Sequence, residues 1–139
     1  MPSARIFVVE DNPSDVFVLR HSLQELGEEF ELDEVHNGEE ALRFVHAQRE
    51  NRRDAQPCVI LLDLHLPQLD GLEILRAIQA APALDHIHVI ATSNGISPQQ
   101  EAELRRMSAE YRPKPRNLAE YAELARHLMA VCKGSHVEA

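Results

Sequence analysis

The sequence predicts an α/β fold in which a five-stranded parallel sheet is doubly wound, with helices on both faces. Two observations predict it. Five short strand-like runs alternate with five stretches whose apolar residues recur every three or four positions, and parallel neighbours need a crossover that a helix supplies. The first and third runs are continuously apolar, as strands covered on both faces are.

Ile6-Phe7-Val8-Val9 is the first strand, ending abruptly in Glu10-Asp11-Asn12-Pro13. Pro13 suits a first helical turn, with Asn12 or Asp11 as its cap. Val16, Leu19, Leu23 and Leu26 form one helical face, and Gly27 is placed to end it. Phe30 to His36 alternates like a strand, Asn37-Gly38 turns, and Glu39 to about Arg49 places Ala41, Leu42, Val45 and His46 on one face of a second helix. A polar stretch from Glu50 to Gln56 closes this unit.

Cys58 to Leu62 is a continuous apolar run ending on Asp63. A loop from Leu64 to Gly71 leads to a helix beginning with Leu72, Leu75, Ile78 and Gln79. Ile87 to Ala91 is a fourth strand, and Ser97-Pro98 starts a fourth helix that runs to about Met107 with a thin apolar face. Glu110 to Pro113 is a strand of poor propensity. The last helix, Leu118 to Val131, carries Leu118, Tyr121, Leu124, Ala125 and Leu128. One domain over residues 1–132 is expected, with residues 133–139 a disordered tail.

Hydrophobic residues make up 44% of the 139 and charged residues 27%, with no apolar run long enough for a bilayer span or signal peptide. A soluble cytoplasmic protein without membrane contact is expected. The net charge of -9 argues against a general phosphate-neutralising surface for nucleic acid. Cys58 and Cys132 lie far apart in sequence and are expected as free thiols, Cys58 buried in its apolar run. Among the eight histidines, His86-Ile87-His88 invites a metal, but spacing suggests no third ligand and surface histidines are expected.

Ligands of such folds bind outside the carboxyl ends of the strands. Glu10, Asp11 and Asp63 stand there, past strands one and three, which are commonly neighbours. Carboxylates held this close repel unless a cation is present, and oxygen ligands of this kind suit Mg²⁺. Any one acid alone could merely cap a helix or turn. Lys114, between Pro113 and Pro115 past the fifth strand, adds a cation that could balance a phosphoryl oxygen.

Over about residues 5 to 131 the chain resembles the response-regulator receiver family. The resemblance is carried by Val8-Val9-Glu10-Asp11-Asn12, by Leu61-Leu62-Asp63-Leu64-His65-Leu66-Pro67, by Asp70-Gly71, by Ser93 thirty residues after Asp63, and by Lys114-Pro115. It implies a flavodoxin-like (βα)5 fold with strand order 2-1-3-4-5. It also implies a stand-alone phosphoacceptor rather than an enzyme in the usual sense, since no output domain would fit. Asp63 would take a phosphoryl group from a histidine kinase. Asp11, Asp63 and the backbone carbonyl of His65 would hold Mg²⁺, with Glu10 acting through water. Lys114 and Ser93 would contact the phosphoryl group, and Tyr111 would swing inward as the switch aromatic.

The run from Glu10 to Asp15 most resembles the small regulators that partner bacterial phytochrome-type histidine kinases. A homodimer through helix four, strand five and helix five is a further family-level expectation. Tyr121, Leu124 and Leu128 would serve it unless their face is core.

Several positions depart from the family pattern. Glu10 replaces a common aspartate, and Thr92 could replace Ser93 as switch hydroxyl if the strand register slips by one. Pro113 cannot donate a ladder hydrogen bond, so its strand belongs at an edge or ends early. Met107-Ser108-Ala109 stands where Gly-Ala is common. Two rivals follow. A phosphatase of the haloacid-dehalogenase type would need an aspartate at position 65, where His65 stands. A phosphorylation-independent pseudo-receiver would typically lack the acids or the lysine, all present here.

Overall fold

The computed structural model describes residues 4–48, 56–66 and 69–134. Strands β1 (Ala4–Val9), β2 (Phe30–Val35), β3 (Val59–Asp63), β4 (His88–Ser93) and β5 (Glu110–Pro113) alternate with helices α1 (Pro13–Glu25), α2 (Gly38–Ala47), α3 (Gly71–Gln79), α4 (Pro98–Arg106) and α5 (Leu118–Lys133). A 3-10 turn, Pro82–Leu84, precedes β4. The sheet is parallel throughout in the order β2-β1-β3-β4-β5, with Val9 beside Leu62 and Asp63 beside Thr92.

Strand alternation divides the core in two. Ile6, Val8, Val59, Leu61 and Ile90 face α1 and α5, meeting Val16, Leu19, Leu23, Leu124 and Leu128. Phe7, Val9, Ile60, Leu62 and Ala91 face the opposite way, toward Ala41 and Val45 of α2, Leu72, Leu75 and Ile78 of α3, and Leu104 of α4. All five residues of β3 are buried, as its unbroken apolar run requires.

Local chemistry sets the helix starts. Asn12, Asn37, Asp70 and Asn117 each accept a backbone N–H of the following first turn, and Ser97 forms a reciprocal capping box with Gln100. Of the two candidates for the first cap, Asn12 is the one that acts. As expected of a strand ending in proline, β5 is an edge strand with Pro113 as its last residue.

Four expectations are corrected. Lys133 belongs to α5 and pairs with Glu28 at 2.7 Å, with Gly134 capping the helix in left-handed conformation; the rest of the expected tail lies outside the described residues. His46 is exposed, so α2 packs through Ala41 and Val45. Leu118 is 68% exposed, whereas Leu124 and Leu128 are core against α1. The Tyr121-Leu124-Leu128 face is therefore internal and not a dimer surface.

The fourth correction concerns the cysteines, which are bonded to each other as Cys58–Cys132. The parallel topology is the reason: the chain enters β3 at the same end of the sheet where α5 finishes, bringing the two Cα atoms to 5.2 Å. Of the polar stretch before β3, Gln56 is buried, and its Nε2 donates to Gln48 Oε1 at 3.2 Å. Residues 49–55 lie outside the described residues. Among the described residues no helix is long and apolar enough to cross a membrane.

Candidate functional site

The chain segments at the carboxyl ends of β1, β3, β4 and β5 bring their side chains together at one edge of the sheet. Glu10 follows β1 directly and is buried, its backbone N–H donating to Val35 and its Oε2 accepting from Asn12 N–H at 3.1 Å. Asp11 is exposed beside it. Asp63, the last residue of β3, is 3% exposed, and its Oδ1 accepts the N–H of His65 at 2.9 Å. Glu10, Asp11 and Asp63 each offer one carboxylate oxygen within 4.8 Å of the others.

Lys114 enters from beyond β5, its backbone N–H held by the carbonyl of Ser93 at 2.9 Å. Its Nζ donates to Glu10 at 3.1 Å and to Asp63 Oδ2 at 3.2 Å. It also pairs with Asp15 Oδ2 at 3.2 Å. Burial alone would lower the ammonium pKa, but the hydrogen bond to Glu10 and the charges of Glu10 and Asp63 raise it above the ordinary value, so it stays charged. Burial, and then the nearby charge of Asp63, push the Glu10 carboxyl up to about 7 against the opposing pull of Lys114. Three acids, Glu10, Asp15 and Asp63, thus share one ammonium, which leaves the site short of positive charge.

Asp15 is the residue that sequence reasoning passed over. It lies in the first turn of α1 with Val16, whose row faces the sheet, and it accepts a hydrogen bond from Tyr121 of α5. Burial and the charge of Asp15 raise the Tyr121 phenol to about 12. That helical row was visible in the sequence; the partner helix that closes on it was not.

The opposite wall is polar. Ser93 is fully buried, and its hydroxyl donates to Gly95 O at 2.7 Å and accepts Gly95 N–H at 2.9 Å. With that proton committed, His65 Nε2–H is the donor in the 2.7 Å contact with Ser93 Oγ. The Thr92 hydroxyl turns instead to the Leu62 carbonyl at 3.5 Å, on the side facing α1 and α5. Tyr111 is half-buried, its hydroxyl donating to Ser93 O at 3.4 Å. The His65 imidazole thus lies against Ser93 and the Gly95 carbonyl.

The loop carrying His65 is held down by Gly71. A Cβ there would meet Leu64 Cα at 2.6 Å, and the Gly71 N–H donates to Leu64 O at 3.2 Å. A bridge between His65 and Asp70 completes the turn.

Hard carboxylate oxygens gathered around one point fit a small dication better than a soft one. A sheet in the order 2-1-3-4-5, with three acids and a lysine gathered at its carboxyl edge, defines a receiver-type signalling domain. The chain belongs to the response regulator family: the model of the response regulator receiver domain matches residues 6–124. Receiver domains are generally phosphoacceptors. The sequence is 35% identical over 89 residues to the response regulator Rcp1 of Synechocystis sp., covering 64% of this chain and 60% of that protein. The chain spans less than two thirds of the length of several curated relatives that it matches.

Its fold is similar to that of the phosphorylated cyanobacterial phytochrome response regulator RcpA, with TM-score 0.80, 28% identity and 96% of each chain covered. It is also similar to the Mn²⁺-bound form of response regulator Rcp1, with TM-score 0.77, 27% identity, and 91% of this chain and 92% of that one covered.

Proposed function

We propose that this receiver accepts a phosphoryl group on Asp63 from a phosphohistidine of a histidine kinase, with Mg²⁺ bound beside it. The observation that carries the reading is the Lys114 ammonium suspended between Glu10 and Asp63 at 3.1 and 3.2 Å. An ammonium so placed has carboxylates as partners before transfer and phosphoryl oxygens after it.

An Asp63 oxygen attacks phosphorus as the P–N bond to the imidazole breaks, leaving an acyl phosphate and a neutral histidine on the donor. Glu10, Asp11, Asp63 and the His65 carbonyl would hold the cation, which when bound neutralises charge on the phosphoryl oxygens. Lys114 offsets the remaining charge. Ser93 is the hydroxyl that turns to the phosphoryl group, exchanging its bond with Gly95 for the new acceptor, and Tyr111 packs behind it as the switch aromatic. The likeness to RcpA and Rcp1 supports a phytochrome-type kinase as the donor.

Intact-mass spectrometry after incubation with acetyl phosphate and Mg²⁺ tests the reading. One added phosphoryl group is expected in wild type and none in Asp63→Asn or without the metal. No gain under any condition overturns it in favour of a phosphorylation-independent interaction module. Phosphotransfer from a phytochrome-type kinase domain, followed by the same mass measurement, tests the donor.

A further inference from the structure

A second cluster of ligating side chains lies at the opposite end of the sheet. His88 is the first residue of β4 and Glu110 the first of β5, while His127 projects from α5. Strand register sets Glu110 beside Ile90, two residues beyond His88, so both side chains emerge on the α5 side of the sheet. His88 Nε2 lies 2.7 Å from Glu110 Oε1, and His127 Nε2 lies 3.0 Å from the same oxygen and 2.9 Å from Oε2. The three ligating atoms all fall within 4.8 Å of one another. Of the pair suggested by His86-Ile87-His88, only His88 takes part, because β4 begins there.

We propose that His88, Glu110 and His127 form a binding site for a transition-metal dication of the Zn²⁺ class, with two imidazole nitrogens, one carboxylate oxygen and a water as its ligands. Two imidazoles and a carboxylate are a common donor set for such an ion when a fourth position is left to water. The donor chemistry separates the two ends of the molecule: borderline nitrogen ligands here, hard oxygens alone in the Asp63 pocket. The ligands come from two strands and a helix, so they are placed by the fold rather than by a mobile loop. Each is about three-quarters buried, and an open groove lined by Asp85, His86 and His88 leaves solvent access.

Arg112 serves as an outer partner, its Nε donating to Glu110 Oε2 at 2.8 Å and orienting the carboxylate while Oε1 is available to the ion. Binding requires each Nε2 to give up its proton, the ring carrying its proton on Nδ1 instead. The bound ion would fasten α5 to the edge strand.

The test is a titration of the whole chain with Zn²⁺ in the presence of excess Mg²⁺, read by calorimetry and by the imidazole NMR signals of all eight histidines. One equivalent is expected to bind, shifting the His88 and His127 signals together and raising the melting temperature. His88→Gln/His127→Gln should lose that equivalent, whereas His36→Gln and Asp63→Asn should keep it. Unmoved His88 and His127 signals in wild type overturn the site whatever the variants do. So does a double variant that binds Zn²⁺ as wild type does, since the cluster would then be only two imidazoles hydrogen-bonded to a carboxylate.

Discussion

Glu10 and His65 decide how the Asp63 pocket behaves before and after any transfer. A carboxyl raised from 4.5 to about 7 by burial and by the neighbouring charge of Asp63 keeps its proton in the folded protein over a range where the unfolded chain has lost it. The folded state then binds more protons, so stability falls as pH rises through this window. The contribution is fully present below about 4.5 and gone above about 7. Its total is on the order of 3 kcal/mol. Urea unfolding in chelator should therefore show wild type losing stability relative to Glu10→Gln from pH 5 to 7, and Mg²⁺ should flatten the difference by replacing the proton. His65 acts later. Its exposed imidazole spans from Ser93 to Gly95 across the approach to Asp63. His65→Ala opens that approach to water, and acyl-phosphate loss, followed by mass spectrometry, should quicken roughly fivefold, equivalent to about 1 kcal/mol of barrier.

Among the secondary elements, the junction of α4 and β5 carries the clearest local strain. Ser108 has φ 58°, a left-handed conformation that glycine adopts freely and serine does not. Ser108 therefore holds, just before the fifth strand, a backbone conformation better suited to glycine. Ser108→Gly should stabilise the protein by about 1 kcal/mol in chemical denaturation, with no effect on phosphorylation of Asp63. Elements with strong local signals were legible in the sequence: the buried run of β3 and the Pro13 and Ser97-Pro98 helix starts. Even β5 was placed at Glu110–Pro113 despite its poor propensity. His46 and Leu118 were misplaced because each lies at the margin of an apolar face. Periodicity gives the direction of such a face but not how far the neighbouring helix extends over it.

For the whole molecule, what escaped the sequence is contact between residues remote along the chain. Glu10, Asp11, Asp63 and Lys114 could be gathered in advance because all stand at or just past strand ends, and parallel topology sends every such end to one edge. His88, Glu110 and His127 required the strand register as well as the docking of α5, and nothing in their spacing announces either. The Cys58–Cys132 bond belongs with them. It joins residues 74 apart and ties the end of α5 to the start of β3, closing most of the α/β core into one covalent loop. A crosslink of that span restricts the unfolded chain strongly and stabilises a small domain by about 2–4 kcal/mol. Such bonds persist in oxidising settings and are rare in reducing ones, so this part of the stability depends on the redox conditions. Reduction should lower the unfolding free energy by that amount, and Cys132→Ser should match the reduced wild type while responding to reductant no further. Both should still take one phosphoryl group from acetyl phosphate, because the bond lies at the end of the sheet away from Asp63. Equal stability of oxidised and reduced protein would show that the two sulfurs are not bonded in solution.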